Sequence, residues 1–210
     1  MQYGIYKQIR NAAWQAILDY HITSLPVDVV SIADSIGINV INDSLVHVLS
    51  PDQLGVTIYY EEEWYIVYRD DLTVSEKRYT VAHELGHIFL GTFHFGLDLC
   101  PESVEKKRKS EIQADNFARS LLCPACVLWK TNTITPEKIA SLCEVPLSVA
   151  KTRSQRIKTL IQRGKFLHSP LEQNVLQNFS QYIDRYNTVP EIQNQLDIIR
   201  QKKDIFQTAR

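Results

Sequence analysis

Long apolar runs are missing from these 210 residues: the stretches richest in apolar side chains are all broken by charges, which excludes a membrane-spanning helix. Residues Met1 to Asn11 carry Lys7 and Arg10 but no uninterrupted apolar run or small-residue cleavage site, so no export leader is expected and the cytoplasm is the expected compartment. Cysteine is scarce too. Four thiols, at 100, 123, 126 and 143, are too few and too scattered to staple a chain of this length, which favours a reducing compartment. Cys123 and Cys126 have CxxC spacing, but no second pair follows and Cys123 ends an apolar helix, so packing is their expected role. Repeats and low-complexity tracts are absent as well.

What is present is an ordinary globular composition, 44% apolar and 22% charged, in a chain long enough for one sizeable domain with an appendage. The net charge of -1 conceals an asymmetry. Residues 1–129 hold ten Lys and Arg against seventeen Asp and Glu, whereas 130–170 hold eight against two and 171–210 hold five against five. Three segments with these boundaries are expected, and the acidic and basic ones imply different electrostatic partners.

Helical spacing of Ile5, Ile9, Ala12, Ala13, Ala16 and Ile17 predicts an N-terminal helix, and Val29 to Ile36 a short second one that Gly37 can end. Ile38 to Ile41 reads as a strand, and Leu54 to Tyr60 with Trp64 to Tyr68 as a hairpin turning through Glu61-Glu62-Glu63. Thr73 followed by Glu76 fits a capping box opening a helix to about Gly91. Residues 92–102 read as a loop, and a second long helix is expected to reach Pro124. Thr135-Pro136-Glu137 has the order of cap, proline and acid that starts another helix. The fold class is α+β.

The first of the two long helices carries His83-Glu84-Leu85-Gly86-His87. Residues four apart share a helix face, so both imidazoles can reach one ion while Glu84 projects beside them. A catalytic zinc needs a third protein ligand and an open position for water. Glu111 is the choice, since Glu111 and Asp115 share a face of the second helix and the small Ala114 permits close approach to the first. Asp115 can then accept a hydrogen bond from a ligand histidine. Asp115 itself and His94 are the rival third ligands. One Zn2+ per chain is expected, with Glu84 as general base and then acid, although a His-His-Glu set also suits manganese or iron. Tyr79 and His94 are candidates for stabilising the oxyanion, with a core role favoured for Tyr79. The hairpin edge can align an extended peptide by strand addition.

The run Arg78 to His87, with Glu111-Ile112-Gln113-Ala114-Asp115-Asn116-Phe117-Ala118, Leu121 to Pro124 and Leu25-Pro26-Val27-Asp28 to Gly37-Ile38, resembles the ImmA/IrrE family of bacterial metallopeptidases across roughly residues 10–165. The resemblance implies a small zincin-like domain, zinc on His83, His87 and Glu111, and catalysis by Glu84. It also implies limited proteolysis of a DNA-binding repressor tied to a mobile element or stress response. Tyr79 departs from the usual Phe, and Cys123 from the usual Met.

Ile139 to Pro146 followed by Val149 to Arg153 has the short helix, turn and second helix of a helix-turn-helix. Lys151, Arg153, Arg156 and Lys158 would supply phosphate contacts if it bound DNA, although the same geometry serves as a plain structural unit. The competing function is therefore a regulator binding DNA or protein, its metal structural. Residues 171–210 keep helical spacing through Leu171, Val175, Phe179 and Tyr182, and again through Ile192, Leu196 and Ile199, which predicts two helices.

Overall fold

The computed structural model describes residues 3–92 and 104–188, so His94, Cys100 and the spacing from Ile192 to Ile199 lie outside the described residues. Its order is α1 (Tyr3–Asp19), α2 (Val29–Ser35), β1 (Ile38–Asn42), β2 (Gly55–Tyr60), β3 (Glu63–Tyr68), α3 (Val74–Phe89), α4 (Val104–Leu122), α5 (Ala125–Lys130), α6 (Pro136–Cys143), α7 (Leu147–Gln162) and α8 (Pro170–Asn178), with further helix at 180–188. The fold is α+β, a short sheet beside a helical majority, as in a small zincin-like domain with a helical extension. Among the described residues no helix is long and apolar enough to cross a membrane.

The sheet has three strands in the order β1-β3-β2, one more than the hairpin alone. Strand β3 is central, parallel to β1 with Ile38 opposite Trp64 and antiparallel to β2 with Thr57 opposite Ile66. The hairpin turns on two residues, not three. Glu61 and Glu62 have φ of 47° and 67°, and Glu63 already pairs with Tyr60, the geometry of a tight turn matched to strand twist. Strand β2 lies at the edge of this sheet, and among the described residues its outer row of peptide groups has no partner strand.

Helix α3 starts where its sequence says it should. Thr73 Oγ1 accepts from the Glu76 N–H at 3.3 Å and Glu76 Oε2 accepts from the Thr73 N–H at 2.9 Å, so two backbone donors at the helix start are satisfied. One face of α3, with Val81, Ala82 and Leu85 fully buried, meets Ala114, Phe117, Ala118 and Leu121 of α4. Gly86 makes that crossing close: a Cβ there would stand 3.0 Å from Ala114 Cα and 3.2 Å from Phe117 Cβ. At each such crossing, burying one large apolar side chain contributes about 1.5–3 kcal/mol.

Helix α4 ends at Leu122 and not at Pro124, which instead precedes the short α5 because proline has no N–H to continue the ladder. The α6–α7 pair turns at Glu144, whose φ is 49°, and is tied to α3 by an ion pair between Arg78 and Glu144 at 2.6 Å. One buried cluster joins Ile17, Leu85 and Phe117 with Ile139, Ile157, Val175 and Phe179, so all three segments of contrasting charge share a core. Cys123, Cys126 and Cys143 are free and buried inside it. Burial pushes the Cys126 thiol up to about 12, which keeps it protonated and a poor metal ligand.

Candidate metal centre

Helices α3 and α4 bring His83, His87 and Glu111 together. One donor atom from each lies within 4.8 Å of the others, and this is the cluster of metal-binding type found among the described residues. The separations are 3.1 Å between His83 Nε2 and His87 Nε2, 3.1 Å from His83 Nε2 to Glu111 Oε2, and 3.6 Å from His87 Nε2 to Glu111 Oε1. Tetrahedral coordination with bonds of about 2.0–2.1 Å puts donor atoms about 3.3 Å apart, so the triangle has the dimensions of three corners around one cation.

The outward nitrogens are held elsewhere. His83 Nδ1 donates to Asp115 Oδ1 at 3.1 Å and His87 Nδ1 to Thr92 Oγ1 at 3.1 Å, while Thr92 Oγ1 in turn donates to the His87 carbonyl at 3.5 Å. Protons on both Nδ1 atoms leave both Nε2 lone pairs facing a carboxylate at one point. Such an arrangement repels itself unless a proton or a cation stands in the middle, and a two-imidazole, one-carboxylate donor set suits zinc and its neighbours.

The pKa directions express the same pressure for positive charge. Burial works to lower His83, but its hydrogen bonds with Asp115 and Glu111 outweigh that and lift it from 6.5 to about 9. Hydrogen bonds from His83 and His87 hold Glu111 well below the usual carboxylate range against the opposing effect of burial. Asp115 is also lowered: burial raises it, and the His83 bond, the Arg119 charge and the Tyr79 bond prevail. Asp115 is on the far side of the His83 ring and is thus placed to orient it, not to join the triangle.

Glu84 is buried beside the cluster, and its Oε2 accepts a hydrogen bond from Thr57 Oγ1 on β2 at 2.8 Å. Sequence reasoning did not single out Thr57 or Thr92. The inward position of Thr57 in an alternating strand was the available signal for the first, and none marked the second. Tyr79 packs against the core, as expected, but its hydroxyl also donates to Asp115 Oδ1 at 2.9 Å, a bond that phenylalanine could not make. The basic residues of α7 divide: Lys151 and Lys158 are exposed, Arg156 is half-buried, and Arg153 faces inward with its Nε donating to the Cys123 carbonyl at 2.6 Å.

Comparison with known proteins adds two findings. The IrrE N-terminal-like domain model of the M78 peptidases matches residues 33–155, a span that contains α3, α4 and the whole cluster. The chain is also 31% identical over 149 residues to "uncharacterized immunity region protein 2" of Bacillus phage phi105, a match covering 70% of this chain and 89% of that protein.

Proposed function

Since this chain belongs to the IrrE N-terminal-like family of metallopeptidases, we propose that it is a zinc-dependent endopeptidase that cuts an intracellular protein at a defined site, its metal held by His83, His87 and Glu111 and its general base Glu84. The observation that carries the reading is the buried carboxylate of Glu84, fixed by Thr57 beside three donors that converge without a fourth protein ligand among the described residues. A purely structural zinc site closes its coordination with protein atoms, whereas a catalytic one keeps a position for water.

When bound, zinc supplies a water acidified to a pKa of about 7 and a Lewis acid for the scissile carbonyl. Thr57 fixes one oxygen of Glu84, Oε2, which leaves Oε1 to take a proton and hand it to the departing amine nitrogen. Asp115, itself held by Tyr79, keeps the His83 ring turned with Nε2 toward the cluster. Edge strand β2, which carries Thr57, offers its peptide groups to an extended substrate, so strand addition would lay the scissile bond alongside Glu84.

The substrate class is proposed from the relative. Its name puts it in a phage immunity region, which supports a DNA-binding repressor of a mobile element as the protein cut. The test is incubation of the zinc-loaded chain and its Glu84→Gln variant with a candidate helix-turn-helix repressor. We expect discrete cutting by the wild type and a loss of about 10²–10⁴-fold in the variant, which still binds zinc. Equal cutting by both rejects Glu84 as base, and salt-sensitive DNA binding with no cutting by either favours the regulator instead.

A further inference from the structure

A cavity of about 130 Å3 opens between α1, α7 and the turn into α8, and it shares no residue with the metal cluster. Its walls carry five cations: Lys7 and Arg10 from α1, Arg153 and Arg156 from α7, and Lys165 from the turn beyond. One carboxylate, Glu172, faces them, and its Oε2 already accepts from the His168 backbone N–H at 3.3 Å.

Three wall residues hold buried donors that have no hydrogen-bond partner among the described residues: Trp14 Nε1, Arg153 Nη2 and Arg156 Nε. Arg153 is only 3% exposed, with Nε bonded to the Cys123 carbonyl and Nη1 3.5 Å from the Tyr6 hydroxyl, so its remaining nitrogen cannot turn to solvent without breaking both. Leaving a buried donor unpaired costs about 1–3 kcal/mol, and more when it is charged. All three residues also line the cavity, which gives its wall the chemistry of hydrogen-bond donors.

The walls hold five cations against one carboxylate, so the complement is an oxygen-rich anion. The aromatic walls are already engaged, with the Arg10 guanidinium 4.6 Å from the Trp14 ring, that of Arg156 4.7 Å from Tyr6, and Phe166 stacked on Trp129 at 4.8 Å. Pockets that enclose drug-sized ligands run to about 300–1,000 Å3, so this one suits a headgroup-sized anion and not a whole nucleotide. Five cations against one carboxylate suit a doubly charged oxyanion better than a singly charged carboxylate. We propose that the cavity is a phosphate-binding site, taking inorganic phosphate or the terminal phosphate of a small phosphomonoester between Trp14, Arg153 and Arg156. The backbone of duplex DNA fits it less well, because the exposed cations of α7, Lys151 and Lys158, are not among the cavity's lining residues, whereas Arg153 and Arg156 are.

Calorimetric titration of the full chain with inorganic phosphate and with glycerol phosphate, in chloride buffer, tests this. One saturable site per chain is expected, weakened about tenfold by Arg156→Gln and unchanged by Lys158→Gln, which removes the same charge from the same helix. Arg153→Gln should abolish binding but also loses the Cys123 bond, so Arg156→Gln and Lys7→Gln decide if that variant does not fold. A glycerol phosphate affinity above that of inorganic phosphate identifies an ester ligand, and equal affinities identify free phosphate; both support the site. No saturation by about 10 mM overturns it, as does phosphate binding that ignores Arg156→Gln, which would put the anion at the metal. Equal weakening by Lys158→Gln, with duplex DNA competing, overturns it in favour of an open nucleic-acid face.

Discussion

Replacing Asp115 removes an acceptor that three groups share. Its Oδ1 receives the Tyr79 hydroxyl at 2.9 Å and His83 Nδ1 at 3.1 Å, and its Oδ2 lies 3.6 Å from Arg119 Nη1. With the acceptor gone, nothing holds the proton on Nδ1, so His83 spends part of its time in the tautomer whose Nε2 cannot bind a cation. Loss of such a partner lowers metal affinity about 10–100-fold, which is about 1.4–2.7 kcal/mol. Asp115→Asn retains an oxygen at the same place and should fall near the tenfold end; Asp115→Ala should fall near the hundredfold end. The alanine variant also leaves the Tyr79 hydroxyl without its acceptor, so the zinc-free chain should lose about 1–3 kcal/mol of folding stability, and the asparagine variant less. Competition for zinc against a chromophoric chelator measures the first effect, and urea unfolding of the zinc-free chain the second. An alanine variant that binds zinc within about twofold of wild type would refute the orienting role of Asp115.

Other perturbations address the remaining links. Gly86→Ala gains about 1 kcal/mol of helix propensity but meets Ala114 and Phe117, at an overpacking cost of about 1–3 kcal/mol, so stability should fall by about 0–2 kcal/mol while zinc affinity drops as α4 and Glu111 are pushed away; unchanged affinity in a competition titration counts against the close crossing. Thr57→Val keeps the shape but removes the donor to Glu84, and kcat should fall about 10–100-fold with KM nearly constant in steady-state assays; an unaltered kcat would show that Glu84 needs no anchor. For the zinc-free chain, His83 is raised from 6.5 to about 9, so its contribution to stability is full below pH 6.5 and is lost as the pH rises through 9. Zinc must displace that proton, so its affinity should strengthen over the same interval; a thermal-shift series across it would contradict this if the zinc-induced upshift shrank with rising pH.

Much of the local architecture was legible because it depends on near neighbours in sequence. The capping box at Thr73 and Glu76 and the i, i+4 pairs His83/His87 and Glu111/Asp115 need only helix geometry, and both members of the second pair do touch the His83 ring. What was not legible depends on tertiary approach. Nothing local says that β3 pairs in parallel with β1, or that Thr57, 27 residues before Glu84, ends on its carboxylate. The turn at Glu61 and Glu62 was blurred by a third glutamate of the same type, which pairs in the strand. Arg153 read as one more surface cation of a basic segment, because its neighbours in sequence do not reveal that the end of α4 covers it.

X-ray absorption at the zinc edge of the purified chain probes the metal assignment without reference to any substrate. One zinc per chain is expected, surrounded by nitrogen and oxygen at about 2.0–2.1 Å, with two imidazoles in the outer-shell scattering and a spectrum that changes in Glu111→Gln. Sulfur scatterers at about 2.3 Å, or a spectrum indifferent to Glu111→Gln, would contradict it.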